Sequence, residues 1–491
     1  MVGITAYGAY VPRYRLDRKL IFEAMGWMDP AAAGMARGEK AVANYDEDSI
    51  TMAVAAGMDG LDAEQREKVE QFCFATTTPP YLERQNAVII SQALNLGERI
   101  RTSDMVGSVR SGTDALLQAA DGVAAGSVNS ALVCAADSRQ GKAGGAQDYL
   151  FGDGAAALAL GTEKVVATLK GTYSWSCDFP DRWRSIEDRY DRVWEDRWIR
   201  DEGHRKLITS ALQGAGEKYG KDLSDFSKVV ISCPHPRSYL AMVKRLGLEQ
   251  QQIANPLLEQ VGDAGSAHPL LMLVGALEEA KAGDEILLVS YGSGVTVFLL
   301  EVTPEIERSR PKLGLKGHLE RREDMQSYDQ YAVFQGKLEP EKGIRGESVP
   351  STPFSALWRE RKAVLGLEGS RCKQCGTPQF PPQEVCVNPD CRAEREMESY
   401  PFADKKGELF TFTADYLAYS LSPPAVYGMV DFEGGGRYWF DITDCRPEEL
   451  RVGNQIRMSF RRKYLDDLRG ISGYFWKILP ESDSQGGAKD A

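Results

Sequence analysis

Four cysteines form the plainest chemical pattern in the chain. Cys372-Lys-Gln-Cys375 is followed by ten residues and then by Cys386-Val-Asn-Pro-Asp-Cys391. Two short thiolate pairs can surround a Zn²⁺ ion tetrahedrally when each forms a tight knuckle and a β loop brings them together. Gly376 suits the turn after the first pair, while the second pair is wider, with four intervening residues rather than two. Unligated buried cysteines or a redox pair are the alternative. Four sulfur ligands leave no open coordination position, so the zinc would be structural and no catalytic metal is implied.

Three further stretches carry residue types that do chemistry. Gly107-Ser108-Val109-Arg110-Ser111-Gly112-Thr113 opens a helix, where backbone N–H groups and the macrodipole favour negative charge; an ordinary capped helix start is the competing reading. Cys233-Pro-His235-Pro236 ends an apolar strand, and Gly262-Asp263-Ala-Gly265-Ser266-Ala-His268 opens a helix. The chain has only four histidines, and His235 and His268 sit where α/β sites collect, as acid/base candidates or as packed side chains. Ser290-Tyr291-Gly292-Ser293-Gly294 is a Gly-rich strand break that could bring N–H groups to an oxyanion or simply form a turn. Between Asp181 and Glu202 lie six Arg, eight Asp or Glu, and Trp183, Trp194 and Trp198. A solvated, salt-bridged insert is the first reading, and a flap whose Arg residues hold phosphates and whose Trp residues stack on a nucleotide ring is the second.

The elements that must position these residues alternate helix and strand. DEDSITMAVAAGMDGL reads as a capped helix, KVEQFCFATTT as a strand, SGTDALLQAADGVAAG as a helix, and SVNSALVCAAD and FGDGAAALALG as buried strands. After the charged insert come a helix (HRKLITSALQGAGEKYG), a strand (SKVVISCPHP), a helix (SAHPLLMLVGALEEAKAG) and a turn-broken strand pair (DEILLVSYGSGVTVFLLEV). A shift of 157 residues superposes Ala125-Gly126 on Ala282-Gly283, a faint sign of two similar halves. We divide the chain into halves at 1–165 and 166–303, a connector at 304–350, a helix plus zinc ribbon at 351–402, a small β-barrel at 403–480 and a disordered tail at 481–491.

Composition narrows the function classes. The chain has 491 residues, 43% hydrophobic and 26% charged, with a net charge of −12 that argues against a nucleic-acid binder. No apolar run reaches the length of a membrane helix and the N-terminus has no export pattern, so a cytoplasmic location is expected.

Taken together, ITAYGAYVPRYRL at the N-terminus, FATTT at 74–78, the SVRSGT helix start, FGDGAAA at 151–157, GDAGSAH at 262–268 and SYGSG at 290–294 resemble the thiolase superfamily. The similarity is to its 3-hydroxy-3-methylglutaryl-CoA synthase and ketoacyl synthase III branch, and covers residues 1 to about 303. The resemblance implies an α/β fold with a thiolase-like duplicated αβαβα core, a CoA thioester substrate and a homodimer. The C-terminal part resembles the zinc-ribbon plus OB-fold domains that accompany thiolase-like proteins in acyl-CoA metabolism.

Departures from the family pattern decide the chemistry. The place of the family's nucleophilic Cys is held by Val109, with Ser108 before it; the place of its Glu by Thr77; its His-x-Pro histidine is displaced to His235; and its Gly-Asn becomes Gly262-Asp263. Cys73, Cys134, Cys177, Cys233 and Cys445 match no nucleophile position. The expected activity is a (retro-)aldol reaction on a β-hydroxyacyl-CoA without a covalent acyl-enzyme. Val109, Gly292, Ser293 and Gly294 would form the oxyanion and substrate loop, with His235, Asp263, His268 and Tyr291 as acid/base candidates. A condensing acyltransferase using Ser108 or a displaced cysteine, and a non-catalytic scaffold for CoA intermediates, are the alternatives.

Overall fold

Strands that are apolar on both faces must be covered on both faces. Ala131–Asp137 and Gly154–Gly161 are buried along their whole length, and both lie inside the main sheet of the computed structural model, which describes residues 1–346 and 351–481. The chain divides into two compact units, Met1–Leu338 and Glu339–Ala491.

In the first unit, nine strands form one continuous ladder built from two similar sets. From the middle outward, one set runs Gly3–Tyr10, Gly154–Gly161, Ala131–Asp137, Gln71–Ala75 and Arg101–Met105. The other runs Ala167–Ser176, Gly294–Val302, Glu285–Tyr291 and Lys228–Ser232. Within each set the first two pairings are antiparallel and the third is parallel. In the ladder the sets meet where Gly3 pairs with Thr168 and Ile4 with Ala167.

Period-two alternation splits the second set between two cores. Ile286 and Leu288 join a large core with Leu116 and Ala119 of the Ser111–Ala124 helix and Leu270 to Leu277 of the His268–Glu279 helix. Leu287, Val289 and Tyr291 face the other way, against Ile208 and Ala211 of Ile208–Tyr219 and Tyr239 and Met242 of Pro236–Leu246. The large core also takes Val133, Ala135 and Leu158 of the first set, so the two central helices are sandwiched in the duplicated αβαβα arrangement.

Local signals explain the helix ends nearest the site. Asp48 caps Ser49–Gly60 in a reciprocal box with Thr51. The Ile208–Tyr219 helix closes at Gly220 in the left-handed region, and it is preceded by a wide π-helical turn, Ile199–Leu207.

One boundary is corrected. Residues 304–338, read above as connector, are built into the first unit. Met325, Tyr328, Tyr331, Ala332 and Phe334 are buried with Tyr14, Leu16, Ile21 and Tyr149, and Glu323–Asp324 pairs with Tyr14–Asp17. The charge and prolines of this stretch masked an aromatic face. The expected tail at 482–491 and residues 347–350 lie outside the described residues.

In the second unit, Glu368–Cys372 pairs with Pro378–Gln379 and Met397–Pro401. Five antiparallel strands follow, in the order Arg437–Asp441, Ala425–Phe432, Gly407–Asp415, Gln455–Asp466 and Ile471–Pro480. A bridge between Ile442 and Ile478 brings the first and last of these together, around an aromatic core that includes Phe402, Phe432 and Phe440. This is the small barrel expected.

Candidate active site

The helix start at Ser111 and the Gly292 loop are brought into direct contact. A Cβ on Gly292 would lie 2.8 Å from Val109 Cγ2, 2.9 Å from the Arg110 nitrogen and 3.1 Å from Ser108 Oγ, so only glycine permits this approach. The Gly292 N–H is spent on the Gly294 carbonyl at 2.9 Å, which tightens the turn and holds Ser293 at φ 47°. Among the described residues, the Val109 and Ser293 N–H groups donate to no protein acceptor. Ser108 Oγ accepts from the Arg110 N–H at 3.1 Å, and among the described residues no histidine hydrogen-bonds to it.

Beneath this point Asp137 ends its strand and ties two loops together. It accepts from the N–H groups of Thr77 (2.6 Å), Thr78 (3.0 Å) and Ser266 (2.7 Å), and from the hydroxyls of Thr76, Thr78 and Ser266. Gly112 lets the helix start press on this knot, since a Cβ there would sit 2.2 Å from the Ser266 carbonyl oxygen. Thr77 Oγ1 is buried with no partner.

A second group gathers around Asp263. Its carboxylate accepts from Arg139 at 3.0 Å and Arg182 at 3.2 Å, and from the Gly265 N–H at 3.1 Å. Burial alone would raise this carboxyl, but the two guanidiniums outweigh it and hold it well below the ordinary carboxylate range. The expectation that Asp263 exchanges protons near neutrality is therefore corrected: it is a fixed anion. His268 is also corrected. Its Nε2 donates to the Pro256 carbonyl at 3.0 Å while its Nδ1 accepts from the Ala264 N–H at 3.3 Å. Both ring nitrogens are spent on backbone, and burial lowers its pKa.

Tyr291 is buried; burial first, and the Asp181 charge second, push the phenol up. His235 caps the Pro236–Leu246 helix half-buried, with Nδ1 unpartnered and its pKa lowered by burial. Cys233 is buried, and desolvation pushes its thiol up to about 12, which removes it as a nucleophile near neutrality.

The charged insert is mixed in character. Arg192 and Arg200 make exposed pairs with Asp188 and Asp201, as a solvated insert would. Arg182, Arg184 and Arg189 bind protein groups, while Arg197 is exposed. Arg182 holds Asp263, Arg184 pairs with Asp191 and donates to the Thr77 carbonyl, and Arg189 donates to the Gly336 carbonyl at 2.7 Å. Asp191 also pairs with the buried Arg139. Trp194 stacks on Trp198 with centroids 5.6 Å apart, and Phe179 leans against Trp194.

Sequence reasoning missed Asp137, Arg139, Asp191 and His204. His204 was legible only as one of four histidines, inside a segment read as a helix start. The ring is 2% exposed, neither nitrogen has a partner, and it stands edge-on to Tyr291 with centroids 4.7 Å apart.

In the second unit the sulfurs of Cys372, Cys375, Cys386 and Cys391 all lie within 4.8 Å of one another. The Cys372–Cys391 and Cys375–Cys386 separations are 3.8 and 3.5 Å. Tetrahedral Zn–S bonds of about 2.3 Å would place sulfurs roughly 3.8 Å apart, so the four thiols fit that ion.

Comparison with known proteins follows this division. Residues 217–301 match the model of the 3-oxoacyl-[acyl-carrier-protein] synthase III C-terminal domain. Residues 359–398 match the ChsH2 rubredoxin-like zinc ribbon, and 400–461 the ChsH2 C-terminal OB-fold. A crystal structure of HMG-CoA synthase complexed with CoA superposes with a TM-score of 0.63 at 22% identity, covering 72% of this chain and 94% of that one. Xanthomonas campestris OleA superposes at 0.54 and 20% identity, over 62% of this chain and 98% of that one, which places the core among thiolase-like folds. Hydroxymethylglutaryl-CoA synthase of Methanopyrus kandleri is 33% identical over 344 residues, 69% of this chain and 98% of its own length. That of Pyrococcus furiosus is 31% identical over 63% of this chain and 89% of its own. The chain belongs to the hydroxymethylglutaryl-CoA synthase family, extended by a zinc ribbon and an OB-fold.

Proposed function

We propose that the protein is an acyl-CoA carbon–carbon bond enzyme that works without a covalent acyl-enzyme, by (retro-)aldol chemistry on a β-hydroxyacyl-CoA. One observation carries the reading: two uncommitted backbone N–H groups, of Val109 and Ser293, flank a contact where the residue at the nucleophile's place is a valine. Such donors stabilise a developing thioester enolate, each contributing on the order of 3 kcal/mol. Valine forms no thioester. Ser108 Oγ is hydrogen-bonded to the Arg110 N–H and to no base among the described residues, and Cys233 is held protonated, so neither serves as a substitute nucleophile in this reading. Retro-aldol cleavage needs only the enolate site and a base for the β-hydroxyl.

Arg182, Arg184 and Arg189, which could have gripped CoA phosphates at this point, are engaged with Asp263, Asp191 and carbonyls. Their role in this reading is to fix the insert over the site. The four cysteines would hold one structural Zn²⁺, outside the chemistry, and the enzyme would act as a cytoplasmic homodimer.

The test is incubation with a panel of 3-hydroxyacyl-CoAs, following the carbonyl product and the shortened acyl-CoA together, with intact-mass measurement of the protein. Matched formation of both products with no mass adduct is expected. A stable acyl adduct, or no cleavage across the panel, overturns the proposal.

A further inference from the structure

We propose that His204, carried by the insert's π-helical turn, is the base that takes the β-hydroxyl proton of the substrate and returns it to the α-carbon. The inference rests on the aldol reading above and names the group that reading leaves open.

Placement comes first. His204 lies at the carboxyl ends of the parallel strands Lys228–Ser232 and Glu285–Tyr291, where open α/β sheets bind ligands. Its ring edge meets Tyr291, the residue immediately before the Gly292 loop. Gly203 allows that closeness, since a Cβ there would lie 2.7 Å from both Tyr291 Oη and Phe179 Cε1. Widened π turns inside helices recur at functional sites, and here the turn spans Ile199–Leu207.

Partner accounting comes second. A buried imidazole with no hydrogen bond at either nitrogen has lost the hydration of both with no protein partner in exchange, an unfavourable state. His204 carries that cost at both nitrogens and at 2% exposure, whereas His268 is satisfied at both and the buried His318 leaves Nε2 unpartnered. Among the other candidates, Asp263 is spent on two arginines and Cys233 is held as a protonated thiol, while His235 keeps an unpartnered Nδ1 but stands only half-buried at the helix cap.

The groups that face the ring are Arg182 from the insert, His235 from the helix cap, Asp263 from the loop and Tyr291 from the strand. Burial first, then Arg182 and His235, lower the imidazole to about 3, so it meets substrate neutral. An enolate forming nearby raises the basicity of the imidazole by opposite charge.

The step balances within enzyme and substrate. The β-hydroxyl O–H breaks and its proton goes to a His204 nitrogen as the C–O bond becomes a carbonyl. The Cα–Cβ bond breaks, and its electron pair passes into the thioester enolate held by the Val109 and Ser293 N–H groups. The imidazolium then protonates Cα, restoring neutral His204 and releasing acyl-CoA and an aldehyde or ketone.

The experiment uses the full chain with two probes: the 3-hydroxyacyl-CoA panel for cleavage, and acetyl-CoA and propionyl-CoA in D₂O for α-proton exchange. His204→Gln is expected to lose about 10²- to 10⁴-fold in kcat and in exchange, with KM little changed. His204→Ala with added imidazole is expected to regain part of the rate. His318→Gln removes another buried histidine, whose ring packs on Tyr10, and is expected to keep wild-type turnover per folded molecule, with melting curves setting the folded fraction. Wild-type cleavage and exchange that persist in His204→Gln overturn the assignment and leave the aldol reading standing. A wild type inert with both probes overturns the aldol reading, and the assignment with it.

Discussion

Gly292→Ala tests the oxyanion geometry most directly. The added methyl would meet Val109 Cγ2 at 2.8 Å and the Arg110 nitrogen at 2.9 Å, against ordinary contacts beginning near 3.4 Å. The loop must therefore retreat from the helix start by roughly 0.6 Å. An N–H···O bond of about 2.9 Å stretched by that amount reaches about 3.5 Å, beyond the useful range. Loss of one such donor corresponds to about 3 kcal/mol, or roughly 10² in kcat. Gly292 is not among the residues at positive φ, so alanine brings no backbone strain and the effect is steric. The assay is the initial rate on whichever 3-hydroxyacyl-CoA the wild type cleaves best, with melting curves to show that the fold survives. A kcat within twofold of wild type would refute the assignment of this loop as the oxyanion site.

Three further outcomes follow from the same structure. Asp263→Asn removes the anion shared by Arg139 and Arg182 and should lower stability by about 3 kcal/mol in urea titrations of the full chain. Because the Asp263 carboxyl is held below its unfolded value, its contribution is fully present above about pH 3.9 and fades as pH falls towards the folded value. The variant's stability should accordingly fall less steeply on acidification, and parallel curves would count against the assignment. Asp137→Ala leaves the Thr77 and Ser266 N–H groups without an acceptor, at about 1–3 kcal/mol each, read as a loss in melting temperature together with turnover. Zinc analysis should find one ion per chain, released by a chelator with loss of ribbon structure, and Cys375→Ser should bind it more weakly. Turnover by an intact first unit after full zinc loss would still fit a structural ion, whereas absence of zinc in protein purified without chelators would not.

The repeat shows how a strong structural fact can leave a faint trace. The Ala-Gly pairs at 125–126 and 282–283 lie 157 residues apart, while the strands Ala131–Asp137 and Glu285–Tyr291 lie 154 apart. The stretch from the Ala-Gly pair to its strand is three residues longer in the first copy, so no single shift aligns both features. Apolar patterning specifies only that each strand is buried, and many side chains meet that condition.

What the sequence determined by itself was whatever depends on local spacing. The two cysteine pairs, the alternation of helix and strand, the glycine turn at Gly292–Gly294 and the valine at position 109 can all be read along the chain, because knuckles, periodicity and turns are short-range. Tertiary structure alone decided which charged groups are free to react. Asp263 and His268 have the right residue types, yet two arginines reach Asp263 from positions 139 and 182 and backbone groups absorb both nitrogens of His268. His204, which has no motif around it, is left buried and unpartnered. Protonation and availability are set by desolvation and by partners distant in sequence, and those come into being only when the chain folds.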